Sequence, residues 1–309
     1  MIPSTPSAIE RGMEGGEQPE ILRHYQAGQE ARLAGDLDKA AEHLFQAFEL
    51  NSSSIHILLE IGLLQSQRGE WEHASHCFEQ ALQIQPDNPQ ALDAMAHACQ
   101  AQGQRPEAVD YWKRAVDLQP DYVDAWQNLG LAHEHLDQLP EAITAHQQAA
   151  NLRPNDSKTH RLLGMAQLDY GLLPAARKCN ERALELSPND PETIWQRFFL
   201  RALENDFPAA WVDYECRFDL PGRTTPEFTS HAPRWQGEEL PGQTLLLHAE
   251  QGFGDTLQMI RYAPRCAERV GRVHVWAPKA LKRLVAAVPG VATVVDHPDA
   301  FDAHLPMMS

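Results

Sequence analysis

Along most of this chain, small apolar residues return at a fixed interval of 34. Ala40, Ala74, Ala108, Ala142, Ala176 and Ala210 form one series, and Pro86, Pro120, Pro154 and Pro188 another. Units starting at Ile21, Ile55, Pro89, Val123, Ser157 and Pro191 place those alanines at position twenty. Position eight then reads Gly28, Gly62, Ala96, Gly130, Gly164 and Phe198, and position twenty-seven Ala47, Ala81, Ala115, Ala149 and Ala183. Small residues at these three places let two antiparallel helices cross closely. Position fifteen (Gly35, Gly69, Gly103, Asp137, Gly171) supplies the left-handed residue that ends the first helix. Proline at thirty-two stops the second. The pattern predicts a mainly α chain, a superhelical solenoid of about six helix pairs over residues 21–219.

Beyond Asp219 the period is lost. Residues 220–243 hold four prolines and little apolar periodicity, which predicts a linker lying over a surface. A continuous apolar run, Thr244–His248, then predicts a buried parallel strand. A helix over Thr256–Val270, a strand over Val273–Trp276, a helix over Lys279–Ala287 and a strand over Thr293–Asp296 follow. Alternation of this kind predicts a partial α/β lobe over 244–309, with three strands and an open edge. Between the first strand and its helix lies Ala249-Glu-Gln-Gly-Phe-Gly-Asp255. Gly252 and Gly254 there free backbone N–H groups at a helix start. Asp255 either caps those donors or points into the crevice at the end of the sheet. No GK[ST] and no third glycine accompany the turn, which argues against ATP and NAD and leaves no cofactor expected.

Charge changes the picture for partners. Residues 1–220 carry 17 Lys and Arg against 34 Asp and Glu, whereas residues 221–309 carry nine of each. An acidic solenoid argues against nucleic acid and for a basic or neutral protein segment, or else for a solvated acidic surface. Residues 1–20, rich in Pro, Ser, Gly and Glu, read as a disordered leader, and no apolar run is long enough to span a membrane. The five cysteines lack CxxC spacing, which suits reduced thiols in a cytoplasmic protein. His73 with His76 and His133 with His135 read as solvated or locally hydrogen-bonded, and no metal site is assigned.

The repeat resembles the tetratricopeptide repeat, with Trp126, Leu129, Gly130, Ala142, Ala149 and Pro154 filling the motif in the fourth unit. The resemblance implies a concave groove lined by the first helix of each unit, here by Tyr25, His56, Leu59, Leu63, His97, Gln127, Leu131, Arg161, Met165, Trp195 and Phe199. Position six is not a run of asparagines, so the peptide-gripping ladder of the O-GlcNAc transferase solenoid is not carried over.

Trp211-Val-Asp-Tyr-Glu-Cys-Arg217, Trp235-Gln-Gly237 and His248-Ala-Glu-Gln-Gly-Phe-Gly-Asp-Thr-Leu-Gln258 with Arg261-Tyr262 carry a second resemblance. They are similar to a bacterial family that fuses tetratricopeptide repeats to a heptosyltransferase-like glycosyltransferase of two Rossmann-like lobes. This implies Asp255 as general base near an acceptor hydroxyl, with Glu250 as second choice. Gln251, Gly252 and Gly254 become substrate contacts. Nucleotide-sugar binding belongs to a C-terminal lobe of such enzymes, which implies nucleotide-sugar only in a longer form. The reading that follows is a protein-binding scaffold, the non-catalytic front part of a glycosyltransferase; the alternative is a complete adaptor without enzyme activity.

Overall fold

A computed structural model describes residues 18–221, 230, 232–249, 252–297 and 301–307. The expected leader falls almost wholly outside them. Twelve helices follow in succession: α1 Gln18–Leu33, α2 Leu37–Leu50, α3 Ile55–Gln67, α4 Trp71–Ile84, α5 Pro89–Ala101, α6 Arg105–Leu118, α7 Val123–His135, α8 Leu139–Leu152, α9 Ser157–Asp169, α10 Leu173–Leu186, α11 Pro191–Leu203 and α12 Phe207–Tyr214. No helix among the described residues is long and apolar enough to cross a membrane.

The period has the physical causes read from it. Every alanine at position twenty from Ala40 to Ala176, and every one at twenty-seven, is fully buried. Gly35, Gly69, Gly103 and Gly171 end their helices at φ between 77° and 85°, and Asp137 takes the same turn at φ 59°. Asn88, Asp156, Asp190 and Asp206 cap the next helices with their side chains. Position eight does something more specific. A methyl group on Gly28 would sit 2.7 Å from Leu44 Cγ, on Gly62 2.3 Å from Phe78 Cε1, and on Gly130 2.3 Å from His146 Cε1. Leu44, Phe78 and His146 all stand at position twenty-four, as does Trp112 in the third unit. The first, second and fourth repeats therefore close by a plug from the second helix filling a notch in the first.

The chain divides into two compact units, Met1–Pro188 and Asn189–Ser309. Five helix pairs make the first. The sixth pair, α11 and α12, belongs by contact to the second unit. There Phe198 replaces the notch, and its ring lies 5.2 Å from that of Tyr214 and 5.1 Å from that of Trp195.

The second unit also holds a four-stranded parallel sheet: β1 Leu240–His248, β2 Val270–Trp276, β3 Thr293–Val295 and β4 Ala303–Pro306, in the order β3-β2-β1-β4. Three readings need correction. The helix expected from Thr256 to Val270 is two pieces, α13 Phe253–Met259 and α14 Ala263–Ala267, with a 3₁₀ turn between them. Pro264 has no N–H to donate and its ring crowds the carbonyl of residue 260, which breaks the run. The expected three strands are four, because Ala303–Pro306 takes the free side of β1 in register, Leu247 opposite Leu305. The last part of the expected linker pairs as well. Trp235 N–H donates to His304 O at 2.8 Å and His304 N–H to Pro233 O at 3.1 Å, so β4 is not an open edge. After β2 a 3₁₀ turn, Lys279–Leu281, leads into α15 Lys282–Val285. One apolar core sits on the face of Leu245, Leu247, Val273 and Val275, under Ile260, Ala263, Leu281 and Val285.

Candidate functional site

In the first unit, the first helices of the pairs, α1, α3, α5, α7 and α9, carry four half-buried apolar side chains at the expected groove positions: Leu59, Leu63, Leu131 and Met165. His56 and Arg161 are half-buried beside them, and His97 is exposed. Burial depresses the proton affinity of His56, and the Glu60 carboxylate opposes that. Tyr25 and Gln127, expected in the same row, are buried instead. The Tyr25 hydroxyl is pushed above its ordinary range by burial, then by Glu60, and the Gln127 Nε2 atom is buried without a hydrogen-bond partner. Trp195 and Phe199 belong to the second unit and stack on each other edge to face, 5.3 Å apart.

Carboxylates join neighbouring helices of this unit. Glu60 accepts from Gln29 Nε2 at 2.9 Å and from Arg32 Nε at 2.8 Å, joining the first two repeats. Asp93 accepts from Trp112 Nε1 at 2.7 Å, Tyr122 Oη at 3.0 Å and Asn128 Nδ2 at 3.3 Å, joining the third and fourth. Burial first, and Asp93 next, raise the Tyr122 hydroxyl. Glu134 Oε1 lies 3.0 Å from His146 Nε2. Arg32 neutralises Glu60, but the donors to Asp93 are uncharged. Further along, the Asp169 carboxyl is raised by burial and by the neighbouring Glu134 charge. Asp93 also lies 3.7 Å from His97 Nε2, and the Glu134 and Asp169 carboxylates are near enough to feel each other's charge.

In the second unit the carboxyl ends of the strands define the site. The order β3-β2-β1-β4 reverses direction at β1, and open α/β sheets bind ligands at such a switch point. The glycine turn follows β1 directly. Gly252 is the N-cap of α13, with φ −64°, and offers no side chain to cap the helix. A side chain at 252 would lie 3.7 Å from Asp255 Oδ2, which places that half-buried carboxylate over the turn. Gly254 has open space around its Cα. Glu250 and Gln251 lie outside the described residues.

Two clefts flank this turn. One, of about 380 Å³, is lined by Ala249, Trp276, Lys279, Lys282 and Asp296, with Lys282 paired to Asp296. The other, of about 490 Å³, lies at the ends of β1 and β4 and is apolar. No pattern in the sequence marked it, because its walls come from four separate segments.

On the opposite sheet face, His248 Nε2 and His304 Nδ1 are 3.3 Å apart. Burial, then His304 and Arg234, holds His248 down to about 3; burial and Arg234 lower His304 too. Arg234 and Arg217 both pair with Glu215 and hold its carboxyl below the usual range. Unfolded imidazoles take protons near 6.5. The unfolded chain therefore binds more protons below that pH, and stability is lost as pH falls from about 6.5 toward 3. His248 contributes a slope of up to about 1.4 kcal/mol per pH unit. Calorimetry between pH 7 and 5 is expected to show the second unit melting earlier with acidification, and less steeply for His248→Leu. An equal slope in that variant would refute the assignment.

Residues 55–88 and 94–157 match the tetratricopeptide repeat family. Over 61 residues the chain is 34% identical to Protein FlbA of Caulobacter vibrioides, a match spanning 20% of this chain and 10% of that protein. A structure of pilF from Pseudomonas aeruginosa superposes with a TM-score of 0.60 at 17% identity, covering 68% of this chain and 96% of that one. MamA from Desulfovibrio magneticus RS-1 gives 0.50 at 21% identity, over 55% of this chain and 97% of the other. YrrB, described as a TPR protein with an unusual peptide-binding site, gives 0.50 at 20% identity, over 59% and 93%. At these identities the structural likeness establishes the fold of the helical array. Residues 55–88 and 94–157 thus carry tetratricopeptide repeats, within a helical array of the same fold.

Proposed function

We propose that the repeats are a protein-interaction scaffold that holds an extended, basic or neutral segment of another protein along the inner helices. The observation that carries this is the combination of half-buried Leu59, Leu63, Leu131 and Met165 with the neighbouring carboxylates Glu134 and Asp169. A cation placed there offsets the burial and, after it, the Glu134 charge that raise Asp169, while the apolar side chains take aliphatic ones. The peptide-binding site reported for YrrB, a protein of like fold, is consistent with this reading. Selecting a random peptide display library on the full chain is expected to enrich sequences with Lys or Arg between aliphatic residues. Their affinity should fall about 10-fold or more from low to high salt. Enrichment of acidic peptides, or affinity indifferent to salt, would overturn it.

The second unit supports a further reading: a heptosyltransferase-like first lobe in a cytoplasmic glycosyltransferase, with Asp255 as general base. The fully parallel order β3-β2-β1-β4, with the Gly252–Asp255 turn at the carboxyl end of β1, favours it. Glu250 is the second choice of base, Gln251, Gly252 and Gly254 would contact substrate, and nucleotide-sugar would bind only with a second lobe present. In a protein that contains that lobe, Asp255→Asn is expected to abolish sugar transfer while shifting stability by less than about 1 kcal/mol. Transfer that survives the substitution removes Asp255 from the reaction.

A further inference from the structure

The apolar cleft of about 490 Å³ has a composition that specifies an occupant. Its walls are Leu247 from β1, Leu305 and Met307 at the end of β4, Met259 from α13, and Trp211 and Tyr262. The volume falls in the usual range of small-molecule sites, roughly 300–1,000 Å³. Trp211 is 46% exposed and Tyr262 40% exposed, so the aromatic wall reaches the surface.

Charge gathers at that aromatic wall. Arg261 Nη2 donates to Tyr262 Oη at 3.0 Å, and its guanidinium carbon lies 4.9 Å from the Tyr262 ring centre. Arg265 stands over the same ring at 5.7 Å. Neither arginine has a carboxylate within salt-bridge distance among the described residues. In a chain of formal charge −17, two arginines beside one tyrosine at the rim of an apolar cleft favour an anion. The apolar walls favour a hydrocarbon or aryl body attached to it.

We propose that this cleft binds a small anionic amphiphile, its apolar body between Leu247, Met259 and Met307 and its carboxylate or phosphate at Arg261 and Arg265. The site lies within the second unit and stands whether or not that unit takes part in sugar transfer.

The test uses the full chain with its methionine methyl groups labelled with ¹³C, and dodecanoate below its micellar concentration as the probe. Dodecanoate is expected to shift the Met259 and Met307 methyl signals saturably and leave Met95 and Met165, in the repeats, unmoved. Arg261→Gln/Arg265→Gln changes only exposed side chains and is expected to weaken dodecanoate at least about 10-fold while leaving dodecanol unaffected. Dodecyl phosphate is expected to bind as dodecanoate does, and inorganic phosphate alone not to shift the two methyls. Uniform shifts of all methionines, no shift at Met259 and Met307, or dodecanol binding wild type as tightly as dodecanoate would each overturn the proposal.

Discussion

Truncating Glu60 to alanine is expected to destabilise the repeat unit by about 3–5 kcal/mol. Glu60 and Arg32 are both buried, and Glu60 Oε2 receives the Arg32 Nε–H at 2.8 Å while Oε1 receives Gln29. Removing the carboxylate leaves a guanidinium in the interior with no compensating charge, at the joint between the first and second repeats. Such a loss exceeds what an exposed ion pair gives, because water cannot reach the stranded cation. Chemical denaturation followed by helical circular dichroism measures it. Glu60→Gln keeps the shape and one acceptor, so it should fall between wild type and alanine. A loss under about 1 kcal/mol for alanine would mean that Arg32 swings out to solvent and that the pair is not a joint.

The second large effect comes from a single methyl group. Gly62→Ala is expected to cost about 2–3 kcal/mol, at the upper end for overpacked cores. Alanine is the better helix former by about 1 kcal/mol, so propensity alone would stabilise. Sterics reverse the sign. The new carbon would lie 2.3 Å from Phe78 Cε1 and 2.8 Å from Cδ1 and Cζ, and Phe78 is 1% exposed with no room to retreat. Gly254→Ala is the control, since nothing lies within 4 Å of its added carbon. It should be neutral or slightly stabilising. Equal melting temperatures for the two variants would show that the notch is not what closes the repeat.

This plug and notch also marks where reading the chain stopped. Gly28, Gly62 and Gly130 declare themselves because only a small residue serves there, and the recurrence of one type is visible. Their partners do not, because Leu44, Phe78 and His146 share a volume to fill and no common chemistry. Asp93 hides for a related reason. Its three donors stand 19, 29 and 35 residues away, and no period relates them. In the second unit β1 was legible as an apolar run, but Ala303–Pro306 was not. It is four residues long and contains a histidine and a proline, so only pairing with β1 makes it a strand. The glycine turn was legible in place. That Gly252 itself stands at the helix cap depends on backbone geometry that composition does not carry.

The two backbone hydrogen bonds that join His304 to Pro233 and Trp235 have a consequence for behaviour at high protein concentration. They make a strand mimic that is weak in itself but tethered, since Trp235 lies only a few residues before β1, the neighbour of β4. Tethering of this kind holds an effective concentration on the order of millimolar. A strand from a second molecule must outcompete that local supply before it can add to the sheet. Self-templating of β4 is therefore suppressed in dilute solution and becomes accessible only when the protein is as crowded as its own tether.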